Sequence, residues 1–120
     1  MISKDAIDNL NRTADNLKKQ GLLARSIGIL KASVPIKIES VNHHAVSQMI
    51  SRGITEEQAQ SYIDDSLVMF EQNSGEKRLY ISKDGNSLIL VDGKRLLTAY
   101  SSDSFDEGMK RIAQEVKAYE

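Results

Sequence analysis

The sequence predicts an α+β fold in which N-terminal helices lead into an antiparallel β-meander and a C-terminal helix packs back on that sheet. Three observations carry this prediction. Apolar residues recur at spacings of three and four early in the chain, Asp84-Gly85 and Asp92-Gly93 separate β-rich runs, and a capping box opens a last amphipathic stretch.

Ser3 is placed to cap a first helix, where Asp5 and Asp8 suit the positive end of the dipole. Ile7, Leu10, Ala14 and Leu17 form its apolar face, and Gly21 stops it after Lys18 and Lys19. Residues 22–33 satisfy neither period cleanly and read as a short second helix. After Pro35, the alternation Ile36, Lys37, Ile38, Glu39 reads as a short edge strand, because proline cannot donate to a ladder. Asn42 caps the next helix, Ala45, Val46, Met49 and Ile50 form its stripe, and Gly53 ends it. Thr55 with Gln58 then makes a capping box, Ile54 and Ala59 are spaced as a hydrophobic staple, and a helix is expected over residues 56–66. Period two follows, with strands at 67–71, 77–82, 87–91 and 95–101 and turns at 73–75, 84–85 and 92–93. Ser104 and Glu107 form a second capping box, and Phe105, Met109, Ile112 and Val116 give the closing helix one apolar face.

With 120 residues and no repeat or low-complexity tract, one domain is expected: a helical N-terminal segment over 1–40 and a core over 41–120. The absence of cysteine removes disulfides, thiolate metal sites and a thiol nucleophile, and it fits a reducing compartment. Apolar stretches such as Leu88-Ile89-Leu90-Val91 fall far below the ~18 residues of a membrane span, and the N-terminus lacks a signal pattern, so membrane insertion is disfavoured. A balance of 16 basic against 17 acidic residues argues against nucleic-acid binding by bulk charge. Charge is nonetheless polarised: Lys18, Lys19, Arg25, Lys31 and Lys37 face only Glu39 between residues 18 and 39, and this segment is expected beside the site as a path for a phosphate backbone.

His44 and Arg52 are eight residues apart on one helix, which leaves them about 80° apart around its axis with Gln48 between. Histidine can give or take a proton near neutrality and arginine offers a charged fork to phosphate, so the pair suits phosphodiester chemistry. The structural alternative is a solvated first-turn histidine and an arginine that complements the helix C-terminus. His43 points roughly 100° away from His44, and two adjacent histidines with no third ligand make no zinc site, so no metal and no cofactor is expected. By alternation Lys94, Leu96, Thr98 and Tyr100 share one face of the last strand, where Thr98 and Tyr100 can donate to phosphate or simply favour the strand. Tyr80 can stack a base or pack on a helix. Lys83 and Lys94, at hairpin ends, can meet phosphates or discourage edge-to-edge association.

The run His44-Ala45-Val46-Ser47-Gln48-Met49-Ile50-Ser51-Arg52-Gly53-Ile54-Thr55, followed by a helix, a meander and a strand ending Leu97-Thr98-Ala99-Tyr100, resembles the barnase–EndoU–colicin–RelE group of ribonucleases. The nearest likeness is to small members at the ends of phage head-associated and contact-dependent toxin proteins, and it covers residues 42–120. The resemblance implies a metal-independent endoribonuclease in which the RNA 2′-hydroxyl attacks the adjacent phosphorus, leaving a 2′,3′-cyclic phosphate and a 5′-hydroxyl. It implies tRNA as substrate class, an acidic cognate immunity protein as partner, a cytoplasmic site of action, and delivery as the C-terminal part of a larger secreted or phage-associated protein. Residue by residue, His44 matches the motif histidine as acid/base, Arg52 the phosphate clamp, and Thr98 and Tyr100 the late-strand pair that orients phosphate. His43 stands outside the core motif as a further candidate, and Lys94, Lys83, Gln48 and Tyr80 are the candidate substrate contacts. Many relatives carry a second basic residue where this chain has Gln48. Near-neutral charge and few aromatics also fit two other readings, a non-catalytic interaction module and an immunity-type partner protein.

Overall fold

The computed structural model describes residues 2–23, 28–72, 76–82, 86–92, 94–100 and 107–119. The elements run α1 (Lys4–Lys19), β1 (Ile29–Ala32), β2 (Ser40–Val41), α2 (His43–Arg52), α3 (Glu56–Asp64), β3 (Val68–Gln72), β4 (Lys77–Ile81), β5 (Ser87–Val91), β6 (Arg95–Tyr100) and α4 (Glu107–Lys117). This is an α+β fold, with a six-stranded mixed sheet in the order β1-β3-β4-β5-β6-β2. The meander β3 to β6 is antiparallel throughout, as its turn signals predict. Asp92 takes a φ of 50°, the left-handed conformation that an Asp-Gly turn requires.

Local chemistry sets most helix ends. Ser3 Oγ accepts from the Ala6 amide at 3.2 Å, and Thr55 and Gln58 exchange both bonds of a capping box. Residues on alternate sides of the strands divide the core in two. Val68, Phe70, Leu79 and Ile81 meet Leu10 and Leu17 of α1 and Ile112 and Val116 of α4. Met69, Tyr80, Leu88 and Leu90 meet Met49 of α2 and Ala59 and Ile63 of α3. Both faces are therefore covered, with the predicted C-terminal helix sharing its face with α1. The expected cap Ser104 and the apolar Phe105 lie outside the described residues. Gly108 lets α4 approach the chain after α1: its amide donates to Leu22 O at 3.0 Å, and a Cβ there would come within 2.6 Å of Leu23 Cδ2.

The sheet corrects two sequence expectations. The helix predicted over 22–33 is not formed at 29–32, which is strand β1; residues 24–27 lie outside the described set. Of this strand only Leu30 is buried, so no period could be read from it. Its outer edge meets α1, where Asn11 Nδ2 donates to Leu30 O at 2.9 Å and Asn11 Oδ1 accepts from Leu30 N at 3.0 Å. The strand predicted at 36–39 is not formed. Residues 33–39 instead cross the sheet from β1 at one edge to β2 at the other. Gln60 of α3 serves the crossing backbone as a neighbouring strand would, accepting from Ile38 N and donating to Ile36 O, each at 2.9 Å. Tyr80, fully buried in β4, donates to Val34 O at 2.8 Å.

On the β1 side, Glu71 lies between Lys31, at 3.0 Å, and Arg78, whose Nε is 3.5 Å away. The hydrogen bond from Lys31, opposed by burial and aided by the charges of Lys31 and Arg78, holds the Glu71 carboxyl below its ordinary value of 4.5.

Two expectations follow from this packing. Gln60→Met should destabilise the fold by about 1–3 kcal/mol, because two backbone groups of the crossing segment lose their partners; urea unfolding measures it. Because the folded-state value of Glu71 is depressed, its contribution is complete above the unfolded-state value and is lost as pH falls through the folded one. The stability difference between wild type and Glu71→Gln should accordingly shrink as unfolding is followed downward from pH 4.5. A difference that stays constant on acidification would remove the ion pair as its source.

Candidate functional site

The site is built where α2 meets β6. Strand β2 pairs in parallel with Arg95 and Leu96 only, and then Asn42 donates its backbone N–H to Leu96 O at 2.8 Å. Asn42 Oδ1 accepts from His44 N at 2.9 Å, which starts α2 at that point, and Gly53, at φ 69°, ends it. The helix thus continues along the part of β6 that no strand covers, with Ala45 and Met49 buried beneath it. His44, Gln48 and Arg52 occupy the neighbouring side of its surface.

Strand β6 carries a bulge that overturns the strict alternation expected for it. Leu90 faces Leu96 but Ile89 faces Thr98, so Leu97 is the extra residue. Leu96 and Ala99, of opposite parity, consequently enter the same core cluster, and Thr98 does not share a face with Leu96.

Four sequence-predicted residues meet at this junction. Arg52 Nη1 donates to Ala99 O at 2.6 Å and to Thr98 Oγ1 at 3.4 Å. Thr98 Oγ1 donates to Gln48 Oε1 at 2.9 Å, and Gln48 Nε2 lies 3.0 Å from His44 Nε2. A group that can move a proton, a fixed positive charge and a hydroxyl are therefore connected through one amide. His44 and Arg52 are exposed, while Gln48 and Thr98 are half-buried.

Of the other candidates, His43, Lys94 and Tyr80 make no hydrogen bond to this array among the described residues. No hydrogen bond among the described residues joins His43 to it, although His43 is exposed one position earlier. Tyr100 continues β6 two residues past Thr98, opposite Ser87. Lys94 pairs with Glu39 at 3.1 Å at the start of β6, and Lys83 lies outside the described residues. Tyr80 cannot stack a base: its ring is fully buried, its hydroxyl is held by Val34 O, and burial pushes its phenol up. Of the basic N-terminal residues, Lys18, Lys19 and Lys31 do not extend the site as expected, and Arg25 lies outside the described residues. Lys31 is on β1, at the far edge of the sheet from β6, and Lys18 and Lys19 end α1, which packs on the opposite face from α2.

A groove of about 390 Å³ opens on the other flank of α2, lined by Val46, Met49, Ile50, Ile54 and Glu56. Among the described residues no cluster of three His, Cys, Asp or Glu side chains could hold a metal, and no helix is long and apolar enough to cross a membrane. What sequence reading missed is the bulge, whose one trace is the pair Leu96-Leu97 ahead of Thr98, and the carbonyl of Ala99 as a partner of Arg52.

Asn42→Ala should cost about 1 kcal/mol through the lost cap. It should also loosen the His44 end of α2, read as faster amide exchange in its first turn with little change in α3.

Comparison of the chain with protein-family models, with curated proteins and with solved structures finds no match.

Proposed function

We propose that the chain is a metal-independent endoribonuclease toxin that cuts RNA, with tRNA as its substrate class, by attack of a 2′-hydroxyl on the adjacent phosphorus. What supports the reading is the connected array of His44, Gln48, Thr98 and Arg52 on an accessible sheet margin. The reaction needs a group to take the 2′-hydroxyl proton, a group to supply one to the leaving oxygen, and donors for the charge that grows on phosphate. In this proposal His44 transfers protons, Arg52 and Thr98 bind the phosphate, and Tyr100 and His43 are the further candidates for the second proton-transfer role. Lys94, one edge cation, would meet the RNA backbone. An acidic cognate immunity protein would cover the array, and action in the cytoplasm would follow delivery as part of a larger secreted or phage-associated protein.

One observation favours a second reading, a non-catalytic interaction module. Arg52 is already engaged by Ala99 O, which gives it a structural task at the sheet margin.

Cleavage decides between them. Purified protein should cut total RNA or tRNA in excess chelator and leave 5′-hydroxyl and cyclic-phosphate ends. His44→Ala should lose most activity while its thermal unfolding stays near wild type, because the side chain is exposed. Arg52→Ala should lose transition-state stabilisation of about 2–4 kcal/mol, read from kcat/KM. RNA left intact by protein freed of any partner would leave the interaction-module reading in its place.

A further inference from the structure

The array has a direction, and it is set by what each atom can donate. Arg52 is a permanent donor, and it gives a hydrogen bond to Thr98 Oγ1 at 3.4 Å. The threonine hydroxyl must then place its own proton on an acceptor, and Gln48 Oε1 lies 2.9 Å away. With its oxygen so engaged, Gln48 turns its amide nitrogen to His44 Nε2, 3.0 Å away. An amide nitrogen only donates, so this ring nitrogen must be an unprotonated acceptor. Reversing the amide would make Thr98 an acceptor of two donors and leave its hydroxyl proton without a partner in the array, at a half-buried position.

We propose that Gln48 is a positioning residue that fixes neutral His44 in its Nδ1–H tautomer. The proton-bearing Nδ1 is then the ring nitrogen left for substrate, and Nε2 is held as the acceptor inside the protein, so His44 serves the acid half of the reaction. Once Nε2 has taken a proton, Nδ1 can give its own to the leaving oxygen, and the 2′-hydroxyl proton goes to another group. The Gln48 role rests on the ribonuclease reading only for what Nδ1–H addresses, the phosphate of the bound RNA. Gln48 also ties His44 to β6, since one amide spans from the ring to Thr98. Protonation of His44 makes Nε2 a donor, so the amide must turn over and the Thr98 bond must reverse with it.

Nitrogen NMR of the neutral imidazole rings in full-length protein tests the assignment, with His43→Gln identifying the His44 signals. Wild type should show protonated Nδ1 and unprotonated Nε2. Gln48→Glu places acceptors alone at that position, so the two signals should exchange, with Nε2 now protonated. Gln48→Met, which keeps length and helix propensity, should give a mixture, and Thr98→Val should do the same without touching the ring. Protonated Nε2 in wild type, or a His44 tautomer indifferent to Gln48→Glu, would overturn the proposal. The readout is separate from cleavage: the tautomer pattern without RNA cutting upholds the Gln48 role and removes the ribonuclease reading, whereas cutting without the pattern overturns the Gln48 role alone.

Discussion

The arrangement depends on a stretch of backbone crossing an apolar sheet face with no strand beside it. Residues 33–39 leave β1 at one margin and must reach β2 at the other, over side chains such as Tyr80 and Leu88. Amide and carbonyl groups in that position need partners or they oppose folding. Gln60 provides a donor and an acceptor from α3, Tyr80 provides a hydroxyl from β4, and Ile36 and Ile38 fill the remaining contact with apolar surface. Once the crossing is held, β2 lands beside Arg95 and Leu96, and α2 has one direction left, along the uncovered end of β6.

The same device closes the sheet elsewhere. Asn11 presents its amide to both backbone groups of Leu30 at the β1 margin, and Arg52 takes the Ala99 carbonyl at the β6 margin. An exposed row of unpaired strand groups invites another strand, and a side chain seated on those groups removes the invitation. At β6 this blocking group is also a member of the candidate site, so edge protection and the proposed phosphate clamp draw on one guanidinium.

Legibility followed the distance over which each feature is encoded. The caps at Asn42 and at Thr55 with Gln58, the stop at Gly53 and the Asp-Gly turn at Asp92 are written within a few residues, and they read directly. The common side of His44, Gln48 and Arg52 also reads directly, since one helix fixes it. Strand β1 did not, because a single buried residue carries no period and its partner Glu71 is 40 positions from Lys31. The segment at 36–39 alternates like a strand because one side meets the core, yet Ile36 and Ile38 bond to the side chain of Gln60 and only Glu39 bonds to backbone, at Lys94 O. Tyr80 stayed ambiguous between stacking and packing until the crossing segment was in place above it. Gln48 read as a missing charge; its bridging role appears only when Thr98 is brought to it across 50 positions.

That separation has a consequence for the order in which the chain becomes competent. The two halves of the array lie 46 to 50 residues apart, with β3, β4 and β5 between them in the chain. Contacts so distant along the chain form late, after the loop entropy between them has been overcome by the meander. During synthesis, α2 with its histidines emerges well before Thr98 exists. A chain still on the ribosome short of β6 therefore holds the candidate proton-transfer group without the hydroxyl of Thr98, and the array is complete only when nearly the whole domain is.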